Sequence, residues 1–296
     1  MRQLKFTFLI CLLFCIAGCA GKSHKTLKIG VIPYDKTEAV MEAYKPFAAY
    51  MAKKTGMDEG KVYVTSNYSG IIQALRSDQI DCAYLNPLSY VLTLDQFRNI
   101  PERLIPIAMP YYHNSLTYRG DIFVRADSGI KSMKDFKGRS FAFGDSTSTS
   151  GYLYPAGLMM EAGIDPAKDV RAVNISGGGS AIAVFNKVAD GGASYEGAIG
   201  RAFKEPSMAN QMVVIAKTDP IPNGMFVVRG NLDPKLIEAI RKTMLGINND
   251  PAAKEALDKM EFNKWVPADD AIFNSVRKKA KILKLDLHAL DKPKAK

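Results

Sequence analysis

The sequence predicts an α/β protein built as two lobes, each a mostly parallel sheet flanked by helices. Three observations predict it. Short apolar runs alternate with stretches of helical period along most of the chain, the pattern of strands joined by crossover helices. The 296 residues are 47% hydrophobic and 24% charged, ordinary globular usage with enough apolar material for more than one core. Two polar, turn-rich links interrupt the alternation, at 112–120 (YHNSLTYRG) and 218–224 (TDPIPNG). A chain that crosses out near 118 and back near 220 makes the first lobe discontinuous. The expected lobes are therefore 26–118 plus 222–296, and 119–221.

The elements follow in order. Residues 27–32 read as a strand, and 36–55 as a helix closed by Gly56. A strand is expected at 62–65, then a helix capped by Ser66 or Asn67 and running through Arg76. Residues 82–85 form a short buried strand, and Pro87 opens the next helix. Strands follow at 104–109, 122–124 and 140–143. A helix at 151–162 ends at Gly163. Residues 170–175 and 180–186 repeat strand and helix, 212–216 and 225–228 are strands, and helices starting near Asp233, Ala252 and Asp269 finish the chain.

The N-terminus is expected to be removed. Arg2 and Lys5 precede an apolar run from Phe6 to Ile16, then Ala17, Gly18, Cys19 and Ala20. That is the layout of a secretory signal peptide over 1–18, and the run is too short to span a bilayer. Ile16-Ala17-Gly18-Cys19 also resembles the bacterial lipobox. The resemblance implies cleavage before Cys19, lipid on its sulfur, and residues 19–25 as a tether. The expected location is extracytoplasmic, anchored to the membrane through Cys19. Of four cysteines, Cys11 and Cys15 leave with the signal, and Cys82 remains as a buried thiol, so no internal disulfide is expected.

The charge is positional too. The formal +10 falls to +8 once Arg2 and Lys5 go, with 38 basic against 30 acidic residues. Residues 275–296 hold eight cations and two acids, so residues 19–274 carry only +2. That basic end reads as a solvated face or as attraction to an anionic membrane surface. No aromatic residues interleave it, so no nucleic-acid partner is expected.

Three strand-to-helix junctions carry clustered donors. They are Gly144-Asp145-Ser146-Thr147-Ser148-Thr149-Ser150-Gly151, Ser66-Asn67-Tyr68-Ser69-Gly70, and Ser176-Gly177-Gly178-Gly179-Ser180. Helix starts present free N–H groups and partial positive charge, and hydroxyls add donors, so such junctions suit an oxyanion held without a basic patch. Rival chemistries are thinner. Phe143-Gly144-Asp145-Ser146 resembles the nucleophile block of GDSL-type hydrolases, but Asp286-Leu287-His288 has the wrong spacing for their Asp-x-x-His pair. Only His24, His113 and His288 exist as bases. No phosphate-loop motif and no metal-ligand spacing is present, so neither a metal nor a cofactor is expected.

Together, residues 66–91, 127–155, 163–166 (GIDP) and 186–193 (NKVADGGA) resemble, in order and spacing, the extracytoplasmic binding proteins of phosphonate, phosphite and phosphate ABC transporters. The resemblance implies a two-lobed type II periplasmic binding protein that closes by hinge motion on its ligand, is not an enzyme, and hands its solute to a permease. It implies ligand contacts from Tyr68, Tyr118, Ser148, Thr149 and Ser150, with Asn86 at the cleft edge. Two departures stand out. A histidine that family members often place after the strand ending at Ile175 is replaced by Gly177-Gly178-Gly179, which implies a larger pocket. Aminophosphonate binders hold the ligand amine with carboxylates; Glu196 lies near one such position, but the Pro222-Asn223-Gly224 turn has no acid. A monomer is expected. A sensory binding protein of the same fold without its own permease is the second reading, and a hydrolase using Ser146 the third.

Overall fold

A computed structural model describes residues 25–285, except 98, 100–102 and 177. The signal segment, Cys19, Gly177 and the Asp286-Leu287-His288 run lie outside the described residues, as does the last half of the basic tail, 286–296. Among the described residues no helix is long and apolar enough to cross a membrane.

The first sheet contains β1 (Thr26–Val31), β2 (Glu59–Val64), β3 (Cys82–Leu85) and β4 (Leu104–Tyr112). The chain then passes through β5 (Thr117–Tyr118) into a second sheet of β6 (Gly120–Arg125), β7 (Ser140–Phe143), β8 (Arg171–Asn174), β9 (Gly191–Tyr195) and β10 (Met212–Lys217). It returns through β11 (Ile221–Pro222) and adds β12 (Met225–Arg229) and β13 (Phe262–Pro267) to the first sheet. The orders are β13-β4-β12-β3-β1-β2 and β10-β6-β9-β7-β8. β5 and β11 pair antiparallel, Tyr118 opposite Ile221, as a two-stranded link between the sheets.

Both sheets are mixed rather than mostly parallel. β1 pairs parallel with β2 and β3, but β12 runs antiparallel to β3 and β4, and β13 to β4. In the second sheet β7 is parallel to β8 and β9, whereas β6 is antiparallel to β9 and β10. The cause is the double crossing. A strand that leaves a sheet and one that re-enters it beside the same junction must point in opposite directions.

The helices are α1 (Thr37–Thr55), α2 (Tyr68–Arg76), α3 (Pro87–Gln96), α4 (Tyr154–Glu161), α5 (Ser180–Phe185), α6 (Ala198–Ala202), α7 (Pro206–Ala209), α8 (Pro234–Gly246), α9 (Lys254–Met260) and α10 (Asn274–Ile282). α1 buries Val40, Tyr44, Phe47, Ala48 and Met51, one helical stripe, against a core that includes Phe226 and Trp265. A second face of the first sheet packs α2 and α3, and that apolar cluster continues through Tyr90, Phe273 and Val276 to Leu153 and Tyr154 at the start of α4. α10 thus lies against both halves of the molecule. Lys279 on it is mostly covered, its Nζ 3.0 Å from Glu161 and 3.4 Å from Asp219, and 5.1 Å above the Tyr154 ring. Part of the basic C-terminal helix is therefore paired and packed rather than simply solvated.

Cys82 is a fully buried free thiol whose pKa burial pushes up. The pattern reading missed β9, β13, α6 and α7, and the two-residue strands β5 and β11 fall within what it read as links. β9 reads Gly-Gly-Ala-Ser-Tyr, poor strand composition, yet it lies inside the second sheet. A Cβ on Gly191 would sit 2.4 Å from the Phe136 ring, so the strand's glycines follow from a close approach that only the fold reveals.

Candidate functional site

The three polar junctions converge at the carboxyl ends of strands. Tyr68 is the first residue of α2, after β2. Asn86 caps α3 directly after β3. Beyond β7, Ser148 caps a wide π turn at Thr149–Leu153 that leads into α4. Tyr118 comes from the linking strand β5. Tyr68, Tyr118, Asn86, Ser148, Thr149 and Ser150 all line one cavity of about 130 Å³ between the two sheets. An adjoining pocket of about 30 Å³ shares Tyr68, Ser148 and Ser150 and reaches Asp145, Gly178 and Ser180. This is the placement expected for ligand sites in open α/β sheets.

The donors of the two halves already touch. The Tyr68 hydroxyl lies beside Ser148, and that of Tyr118 beside Ser150 and Thr149, all in the same cavity lining. Ser148 Oγ accepts the Gly151 N–H at 3.1 Å. Burial pushes the Tyr118 hydroxyl up to about 12 and Tyr68 well above its ordinary value. Both stay protonated near neutral pH and remain donors.

Asn86 and Thr149 serve a different purpose from free donors. Leu88 N–H donates to Thr149 Oγ1 at 2.9 Å, and Thr149 Oγ1 donates to Asn86 Oδ1 at 3.1 Å. Asn86 Nδ2 donates to the Thr147 carbonyl at 3.2 Å. These buried bonds tie the first sheet's helix starts to the second sheet's π turn. Asp145 adds another tie, since its Oδ2 accepts the Tyr68 N–H at 3.2 Å and its Oδ1 accepts the Thr147 N–H at 2.9 Å. At the third junction, Ser180 Oγ donates to the Ala193 carbonyl at 2.9 Å, so its proton is engaged inside the second sheet. Gly178 has φ +71, and a Cβ there would lie 2.8 Å from the Tyr34 carbonyl. The glycine lets this loop abut the opposite half.

Glu196 is not brought to either cavity. Its carboxylate pairs with Lys217, which also lies 3.6 Å from Asp121. The side chain is 45% exposed. As the residue directly after β9, it belongs to the outer, Lys217-bearing side of the sheet end, while Tyr195 before it faces the cavity. Ser146 is exposed on its loop. His113 sits on the turn after β4, outside the lining of both cavities.

The cavity also contains residues the sequence did not single out. Tyr34, Tyr84, Tyr112, Tyr195 and Phe262 wall it, and Arg201 of α6 enters from the second half. Arg201 forms an ion pair with Glu261 and lies 4.0 Å from Asp35, both from the first half. Nothing local marks these positions, because the aromatics stand singly at strand ends scattered along the chain. Among the described residues no His, Cys, Asp and Glu group could hold a metal ion.

A family model described as "ABC transporter, phosphonate, periplasmic substrate-binding protein" matches residues 29–273. The chain belongs to this family. It is the periplasmic substrate-binding component of an ABC transporter and works with a permease. The phosphonates-binding periplasmic protein of Escherichia coli is 26% identical over 256 residues, 84% of this chain and 73% of the relative. The phosphate-import protein PhnD of Mycolicibacterium smegmatis is 25% identical over 256 residues, 79% and 78% respectively. The crystal structure of a binding protein component of an ABC phosphonate transporter from Pseudomonas aeruginosa matches with a TM-score of 0.77 at 25% identity, covering 90% of this chain and 95% of that one. The family fold is the type II periplasmic binding protein, two α/β halves about a cleft.

Proposed function

We propose that this protein captures a phosphonate-, phosphite- or phosphate-like oxyanion between two hinged lobes, 26–118 plus 222–296 and 119–221, and delivers it to its permease. The observation that carries this reading is the meeting of Tyr68 and Tyr118 with Ser148, Thr149 and Ser150 in one cleft, at helix starts from both sheets. Hydroxyls and oriented amides hold a tetrahedral anion by charge-assisted hydrogen bonds of about 1.5–3 kcal/mol each. The ties through Asn86, Thr149 and Asp145 hold the lobes closed around it. Glu196 takes no part, so the site offers no carboxylate at that position for a ligand amine. Its task in this reading is capture and delivery rather than turnover, and Ser146, the candidate nucleophile, is exposed outside the cavity lining. It works as a monomer anchored through a lipid on Cys19.

Titration calorimetry with phosphate, phosphite and methylphosphonate tests the site. Tyr68→Phe and Ser148→Ala each weaken the tightest of these by at least about tenfold, one lost charge-assisted bond, with urea midpoints recorded to separate the cost of the lost Ser148 cap. Unaltered affinity in both variants would refute the assignment.

A further inference from the structure

We infer that the ligand is a phosphonate whose carbon substituent is uncharged and bulky, an aromatic ring above all, and that Tyr112, Phe262 and Arg201 select it. This deepens the proposed oxyanion function and rests on it. The cavity extends well beyond the helix-start hydroxyls of Ser148, Thr149 and Ser150. The rest of the same space is walled by Tyr34, Tyr84, Tyr112, Tyr195 and Phe262, with the Tyr84 and Phe262 rings 5.4 Å apart. These rings present more apolar face than a lone phosphate can cover.

The charges around this end cancel. Arg201 and Lys259 are the cations, Asp35 and Glu261 the anions. An ammonium placed here meets the Arg201 guanidinium, and the nearby carboxylates are already engaged: Asp35 and Glu261 with Arg201, Asp145 with Tyr68 and Thr147, Glu196 with Lys217. A carboxylate placed here meets Asp35 and Glu261 instead. A neutral planar group meets neither penalty. It gains edge and face contacts with the rings, and a guanidinium whose flat face stacks well on aromatic surface. Because Tyr112 and Phe262 belong to the first half and Arg201 to the second, closure by the Arg201 ion pairs presses both walls onto the substituent.

The test measures four ligands by calorimetry on the wild-type protein: methylphosphonate, benzylphosphonate, 2-aminoethylphosphonate and phosphonoacetate. Benzylphosphonate binds at least tenfold tighter than methylphosphonate, and both charged ligands bind no better than methylphosphonate. Phe262→Ala and Tyr112→Ala, each checked for folding by its urea midpoint, reduce the ratio of benzylphosphonate to methylphosphonate affinity to less than threefold. Methylphosphonate binding with an equal or weaker benzylphosphonate, or with a charged ligand tightest, overturns this inference and leaves the oxyanion site standing. A benzyl advantage untouched in a folded variant overturns the assignment to these side chains. Binding of none of the four, nor of phosphate, overturns the oxyanion reading and this one with it.

Discussion

Thr149→Val separates closure from folding. Valine keeps the shape of threonine but removes the hydroxyl that accepts from Leu88 N–H at 2.9 Å and donates to Asn86 Oδ1 at 3.1 Å. Thr149 is 1% exposed, so in the closed cleft both partners would be left without water to replace it. An unsatisfied buried group costs about 1–3 kcal/mol, which is roughly 5- to 150-fold in an equilibrium constant. Leu88 and Asn86 belong to the first lobe and Thr149 to the second, so the penalty falls on the closed state. In an open state water satisfies all three groups. The ligand must then supply the extra closing energy, and its apparent Kd rises by the same factor. Calorimetry with the tightest of phosphate, phosphite and methylphosphonate should show a loss of at least fivefold. Urea unfolding of the ligand-free protein should keep its midpoint, and small-angle scattering without ligand should shift toward a larger radius of gyration. An unchanged Kd would refute the interlobe role. An equal loss of urea stability would show that the bonds hold a lobe together rather than closing two.

Other outcomes follow from local geometry. A Cβ at position 224 would meet the Leu85 carbonyl oxygen at 2.2 Å and the Tyr84 ring at 2.7 Å, so Gly224→Ala forces the backbone apart beside the cleft. It should lower stability by about 1–3 kcal/mol in urea titrations, and a variant as stable as wild type would contradict that packing. Asp190 provides a pH test. Burial raises its pKa, but the Ser140 N–H and hydroxyl, with Arg139 and Arg171, outweigh it and hold the carboxyl below its ordinary value. The unfolded chain therefore takes the proton first. The stabilisation is complete above about pH 4 and is lost as pH falls through the folded-state value. Urea midpoints should thus fall more steeply on acidification for wild type than for Asp190→Asn, and parallel profiles would count against the linkage. Cys19→Ala should release the protein from the membrane fraction or block its processing; a wild-type product that is soluble and cut elsewhere would remove the anchor from the account.

Much of the architecture was legible because strands and helices are local events. Apolar runs such as 82–85 and the stripe Val40, Tyr44, Phe47, Ala48 and Met51 carry their period in adjacent residues. The hydroxyl-bearing junctions were legible for the same reason, since Ser148, Thr149 and Ser150 are consecutive and Tyr68 follows its own cap. Strand direction was not. Antiparallel pairing of β12 with β3 and β4 depends on where the chain re-enters the sheet. Nor was β9, whose glycines read as a break until Phe136 is seen to fill the space beside them.

By itself the sequence determined the α/β class, the segments that become cleft-facing helix starts, and the family resemblance they carry. The tertiary structure alone decided which groups act together. Tyr34, Tyr112, Arg201 and Phe262 meet only because two sheets face each other, and Glu196 turns to Lys217 because its strand ends on the outer side. The physical reason is range: hydrophobic period and helix capping act over a few residues, whereas an ion pair or an aromatic wall depends on distance through space.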